Sequence, residues 1–89
     1  MIRLYVRHSV SDFAKWKKRY EEFDKERKNY DVVAHGVFQA VNDPKDVTVY
    51  HDFKTLESAQ SLARSDALRQ AMNESGVVGT PTVWITKAA

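Results

Sequence analysis

Val32-Val33-Ala34-His35-Gly36-Val37-Phe38-Gln39-Ala40-Val41, then Asn42-Asp43-Pro44-Lys45, then Asp46-Val47-Thr48-Val49-Tyr50-His51-Asp52-Phe53 is the stretch on which the fold turns. Its two outer runs are rich in β-branched and aromatic residues, and Asn42-Asp43-Pro44-Lys45 has turn chemistry. Residues 32–41 and 47–53 therefore read as a hairpin. On the N-terminal side Phe13, Trp16, Tyr20 and Phe23 recur at helical spacing, with Ser11 as the expected N-cap and Asp12 in the first turn. This aromatic stripe predicts a helix ending near Asn29. Lys17 with Glu21, Lys18 with Glu22, and Glu21 with Lys25 stand at i,i+4 on its other faces, and such a charge run reads as a solvated surface.

On the C-terminal side Thr55 caps a second helix that carries Leu56, Ala59, Leu62 and Ala63 inward. A break falls near Ser65 before Leu68, Ala71 and Met72 resume the stripe, and Gly76 ends it. The chain's outer segments are strands. Residues 2–8 alternate, Ile2, Leu4 and Val6 against Arg3, Tyr5 and Arg7, and residues 81–86 close the chain with Thr82, Val83, Trp84 and Ile85. The order βαββαβ is the ferredoxin-like α+β plan, a four-stranded antiparallel sheet with two helices on one face. The opposite sheet face then carries Arg3, Tyr5, Arg7, Thr48, Tyr50 and Asp52. Long amphipathic side chains of this kind suit burial of their stems against a second copy of the same sheet, so a homodimer is expected.

Bulk properties agree with one domain over residues 1–89. A chain of this length buries only about 60 to 65% of its unfolded surface, so the core is modest and an oligomer would enlarge it. Hydrophobic residues make up 43% and charged residues 29%, an ordinary globular composition. The absence of cysteine removes disulfides, thiolate nucleophiles and thiolate metal sites together, and suits the cytoplasm. The first residues read as a strand interrupted by arginines, not as a signal peptide. No apolar run reaches the roughly 18 residues of a membrane span, and a net charge of +2 demands neither membrane nor nucleic acid.

Particular segments resemble a known family. Val6-Arg7-His8 followed by Asp12-Phe13 and Trp16, His35-Gly36-Val37-Phe38, and the turn Asn42-Asp43-Pro44 are similar to the dimeric α/β-barrel proteins. So are residues 52–59, Leu68-Arg69-Gln70-Ala71-Met72, and Gly76-Val77-Val78-Gly79 before Pro81. The nearest named groups are the antibiotic-biosynthesis-monooxygenase-like proteins and small cyclase-like chains. The resemblance implies a homodimer with facing sheets and a ligand cavity between sheet and helices in each subunit. It also implies a choice of roles: cofactor-independent oxygenase of aromatic substrates, polyketide cyclase, haem-degrading enzyme, or a protein without catalysis.

The histidines are the residues best suited to chemistry near neutral pH. There are three, His8, His35 and His51, each in an expected strand. If Val41 opposes Val47, His35 and His51 become diagonal neighbours on the apolar face; a slip of one residue sends His35 to the other face. In the first register the pair can serve as general base and hydrogen-bond donor to a phenol, enol or anthrone-like molecule. Such a step suits an oxygenase or an aldol cyclase and needs no cofactor. The candidate catalytic residues are therefore His35 and His51, and the candidate ligand contacts are Trp16, Tyr20, Phe53, Trp84 and His8. The ligand expected is a small apolar or aromatic molecule. Each histidine also reads as a hydrogen-bonded strand residue, and the aromatic stripe as core.

Competing sites fit less well. His51 and Asp52 are consecutive in a strand and point to opposite faces, so a two-histidine, one-carboxylate metal centre is not expected. No histidine stands out as a haem ligand. An RNA-recognition module shares the βαββαβ order, but residues 46–53 lack the glycines of its third-strand motif. The remaining alternative to an enzyme is a small-molecule-binding or accessory dimer without turnover.

Overall fold

The computed structural model describes residues 1–89 throughout. Its elements run β1 (Ile2–Val10), α1 (Phe13–Glu22), α2 (Asp24–Asn29), β2 (Ala34–Ala40), β3 (Asp43–Phe53), α3 (Leu56–Ala63), α4 (Asp66–Glu74) and β4 (Val77–Lys87). The four strands form one antiparallel sheet in the order β2-β3-β1-β4, which is the ferredoxin-like arrangement expected from the element order. Each expected helix is broken once. The first breaks at Phe23, whose side chain turns into the core. The second breaks at Arg64-Ser65, where the Ser65 hydroxyl accepts from the Leu68 N–H and starts α4.

Capping follows the local hydrogen-bonding demand. Asp12, not Ser11, caps α1: its Oδ1 accepts the Lys15 N–H at 3.1 Å. Ser11 is committed elsewhere, its N–H donating to the Gly76 carbonyl at 3.0 Å. Thr55 caps α3 as expected, accepting from the Ser58 N–H at 3.2 Å. Asp31, at φ 62°, terminates α2, and the Val32 N–H reaches back to the Arg27 carbonyl at 3.0 Å. Aspartate tolerates this left-handed position better than a branched residue would. β4 begins at Val77, earlier than the expected residue 81, with an irregularity opposite β1 between Arg7 and Ser9. Pro81 is admissible there because β4 is an edge strand.

The hairpin register is His35 opposite His51, Val37 opposite Val49 and Gln39 opposite Val47. It differs by two residues from the pairing of Val41 with Val47. The turn is tighter than Asn42 to Lys45, and β3 starts at Asp43 with an irregularity before Val47. Pro44 has no N–H for the ladder, Asp43 Oδ1 accepts the Lys45 N–H at 3.0 Å, and Gln39 Nε2 donates to the Pro44 carbonyl at 3.1 Å. A slip of two conserves side-chain parity, so both histidines stay on the helix side and become direct neighbours.

One sheet face and the helices share the core. Leu4 and Val6 of β1 and Phe53 of β3 pack with Phe23, Ala59, Leu62 and Ala71, and a second cluster joins Val10, Val47 and Val49 to Trp16. Fully burying an aliphatic or aromatic side chain stabilises by about 1.5 to 3 kcal/mol. The far face is polar and aromatic. Arg3 grips Asp52 through two hydrogen bonds of 2.7 and 2.9 Å and Arg7 grips Asp46 at 3.0 and 2.7 Å. Trp84 lies on this face, stacked on Tyr5 at 4.9 Å, because it pairs with Tyr5 across the ladder while Ile85 pairs with Leu4. Gly36 makes room for the Tyr50 ring: a Cβ there would stand 2.5 Å from it and the ring would have to shift.

Candidate functional site

The aromatic stripe of α1 does not stop at Phe23. Phe13, Trp16, Tyr20 and Phe23 are followed at the same spacing by Arg27 of α2, so a guanidinium occupies the next inward position. Its side chain is only 3% exposed, which no ordinary surface arginine would be. Beneath it, β1 presents His8 and β3 presents His51 on the helix side, because Leu4 pairs with His51 and His8 with Val47. These residues border a cavity of about 50 Å³ between sheet and helices, room for a few waters. Val6, Phe23, Val49 and Met72 give it apolar walls.

The polar side is a connected set. Arg27 Nε donates to His51 Nε2 at 3.1 Å, and its Nη2 donates to the Tyr20 carbonyl at 2.6 Å. The guanidinium carbon lies 3.8 Å from the centre of the Tyr20 ring, a cation–π contact in a desolvated setting. The Tyr20 hydroxyl is hydrogen-bonded to His35 Nδ1, and His35 Nε2 stands 3.8 Å from Asp24 Oδ1. Trp16 stacks on Tyr20 at 5.2 Å, with His8 edge-on to Trp16 at 5.5 Å. The His35 and His51 rings stack at 5.9 Å.

This network determines the protonation of His51. A nitrogen that accepts from Arg27 carries no proton, so neutral His51 holds its proton on Nδ1. Burial, reinforced by the charge of Arg27 and by His35, pushes the His51 pKa down to about 3. His51 is thus a neutral donor near neutral pH and a poor base. His35 is also lowered, by burial and then by Arg27, while Asp24 opposes the shift. Burial raises Tyr20 against the opposing charge of Arg27, so its hydroxyl keeps its proton. The Nδ1 atoms of His8 and of His51 are both buried without a partner, although buried polar atoms are ordinarily satisfied.

The structure gathers His8, Trp16, Tyr20 and His51 around the cavity and attaches His35 through Tyr20. Phe53 is fully buried in the other core cluster, and Trp84 is on the opposite face of the sheet; neither borders the cavity. Arg27 and Asp24 complete the set. Arg27 was concealed within a charge-rich run, and the signal that exposes it is its place in the stripe, four residues after Phe23. No group of three or more His, Asp and Glu side chains gathers as a metal site.

No family model and no curated protein sequence matches the chain. Solved structures do match. An antibiotic biosynthesis monooxygenase superposes with a TM-score of 0.77 at 11% identity, over 100% of this chain and 99% of the other. A conserved protein of Methanosarcina mazei Go1 gives 0.78 at 16% identity, over 99% and 92%. SnoaB of Streptomyces nogalater, a cofactor-independent oxygenase, gives 0.80 at 8% identity, over 99% and 92%. The fold is that of the antibiotic-biosynthesis-monooxygenase structures. At such identities the likeness to the monooxygenase fold extends to backbone course and element order and leaves the chemistry to the residues themselves. No helix of the chain is long and apolar enough to cross a membrane.

Proposed function

We propose that this chain is a single-domain, cytoplasmic homodimer that oxidises a small enolisable or phenolic molecule with dioxygen and without a cofactor. The observation that carries the reading is the convergence of a locked donor, His51, and of Tyr20, itself hydrogen-bonded to His35, on one apolar cavity. The roles divide by protonation. His51 Nδ1–H meets the substrate oxygen, while Tyr20 takes the acidic proton as it passes its own to His35, whose far nitrogen looks toward half-exposed Asp24. The resulting carbanion is electron-rich enough to react with dioxygen. For an activated methylene the balance is one CH₂ and one O₂ giving one C=O and one H₂O, with the substrate supplying all the electrons. The small cavity favours a compact molecule over a polycycle, and even a single ring requires it to widen on binding.

Dimerisation would close the second face of the sheet. Tyr5, Trp84, Phe38 and Tyr50 form an aromatic surface there, with Phe38 and Trp84 exposed, and such a patch suits an isologous contact. The activity test is oxygen uptake with a panel of enolisable compounds, anthrone and single-ring β-diketones among them. Wild-type protein should consume dioxygen, and His35→Ala and His51→Ala should abolish it. Undiminished uptake in both variants removes the histidines from the chemistry; binding of the compounds without uptake would leave a carrier in place of an enzyme.

A further inference from the structure

We propose that the cavity selects its small molecule in the oxyanion form, whether ionised before entry or by the Tyr20–His35 pair, with Arg27 acting as the positioning residue that holds His51 as a donor toward that oxygen and supplies the counter-charge. The inference rests on the reading of the cavity as a small-molecule site and adds the ionisation state of what it takes.

The first ground is charge. Arg27 is buried, yet every acceptor within hydrogen-bonding distance of it is neutral: His51 Nε2 at 3.1 Å and the Tyr20 carbonyl at 2.6 Å. Its nearest carboxylate, Asp24, is 3.8 Å away, half-exposed, and equally distant from Lys28 and His35. No aspartate or glutamate borders the cavity. The one other cation there, Arg19, is paired with Glu74 at 3.2 Å. Buried charges are ordinarily neutralised at contact distance; the loose 3.8 Å pair with half-exposed Asp24 compensates Arg27 only in part, so the apolar cavity keeps an excess of positive charge and favours a bound anion.

The second ground is geometry. With Nε2 occupied by Arg27, the proton of His51 sits on Nδ1, and this atom is buried and unpartnered. His8 brings a second buried, unpartnered Nδ1 to the same cavity. His51 is 4% exposed and His8 6%, so bulk water does not meet this demand. An oxygen with a full negative charge accepts from the His51 Nδ1–H and is also stabilised by the Arg27 charge acting across the imidazole; a neutral ether or ketone satisfies only the donor. The chemical class is therefore a phenolate, enolate or carboxylate on a compact apolar body. The charged and titratable groups that line the cavity are His8 of β1, Arg19 and Tyr20 of α1, Arg27 of α2 and His51 of β3, with no acid among them and Asp24 behind Arg27.

Two matched probes test this. 4-Nitrophenol changes its visible absorption on ionising; 4-nitroanisole has the same ring and cannot ionise. Wild-type protein should bind 4-nitrophenol at least tenfold more tightly than 4-nitroanisole at neutral pH, with the bound phenol ionising at least one pH unit below the free one. Arg27→Met should abolish both the preference and the shift. Arg27→Lys keeps the charge and loses the planar donor, so it should retain part of the shift. Imidazole ¹⁵N NMR of the ligand-free wild type gives a readout independent of those variants' folding: His51 should be the Nδ1–H tautomer. Equal binding of both probes, or a His51 proton on Nε2, would overturn the oxyanion inference and leave the small-molecule site standing. Failure of both probes to bind, with His51 as Nδ1–H, would instead remove the small-molecule reading and this inference with it.

Discussion

Replacing His51 by glutamine isolates the energetic consequence of its burial. The folded protein holds His51 near pKa 3, against an ordinary value of 6.5, and the unfolded chain restores the ordinary value. Below pH 6.5 the unfolded state therefore binds a proton that the folded state refuses. Stability falls as pH drops, up to the lower pKa. Each pH unit in that window costs about 1.4 kcal/mol, so acidification from pH 7 to 4.5 removes about 2 to 3 kcal/mol through this residue alone. Glutamine is near in size, can still accept from Arg27 Nε, and does not titrate. Urea unfolding of both proteins at fixed concentration between pH 7 and 4.5 measures the difference. His8 and His35 are also lowered by burial, but they titrate in both proteins and cancel. Asp46 and Asp52, held below the ordinary carboxylate range by Arg7 and Arg3, lose their contribution only at pH values under this window. The glutamine variant should show a flatter stability profile, the two curves converging by about 2 to 3 kcal/mol at pH 4.5. Parallel curves would show that His51 titrates normally in the folded protein, and the Arg27–His51 hydrogen bond would then be wrong.

Other outcomes follow from the same coordinates. Tyr20→Phe removes the hydroxyl bonded to His35 and should lower turnover by about 10² to 10⁴ while leaving the fold intact; full activity would take Tyr20 out of the proton path. Phe53→Leu, in a fully buried site away from the cavity, should cost about 1 to 2 kcal/mol in denaturant unfolding and leave ligand affinity unchanged, whereas a changed affinity would return Phe53 to the site. Trp84→Glu places a charge on the stacked, partly exposed Tyr5–Trp84 surface. Sedimentation velocity should show it as a monomer where the wild type is a dimer, and a monomeric wild type would refute the sheet-face contact.

The alternation of Leu4 and Val6 with Arg3, Tyr5 and Arg7 made the two faces of the sheet legible before any coordinates, and the same parity put His51 with Val49 and Phe53. The register of the hairpin was less legible, because it depends on how Asp43 and Pro44 fold back on Gln39 and Lys45, a competition among local hydrogen bonds. The resulting slip was of two residues, and parity survives any even slip. That is why His35 and His51 remained on one face although their pairing changed. The face of Trp84 was less legible for a related reason: residues 82–86 carry large apolar side chains on both parities, Val83 and Ile85 on one and Trp84 on the other, and only the ladder with Tyr5 assigns its face.

Protonation belongs to another level of description. Nothing local to residues 47–53 distinguishes His51 as a donor from His51 as a base; the distinction is imposed by Arg27, 24 positions earlier in the chain. Arg27 in turn reads as one more charge in a solvated run until the stripe of Phe13, Trp16, Tyr20 and Phe23 is extended by four. The two facts are physically one. A cation placed in an apolar stripe must be buried with the stripe, and a buried cation dictates the tautomer, the basicity and the preferred charge of whatever it touches. The proposed division of labour in the cavity, with His51 donating and the Tyr20–His35 pair moving the proton, thus rests on one misfit in a hydrophobic pattern.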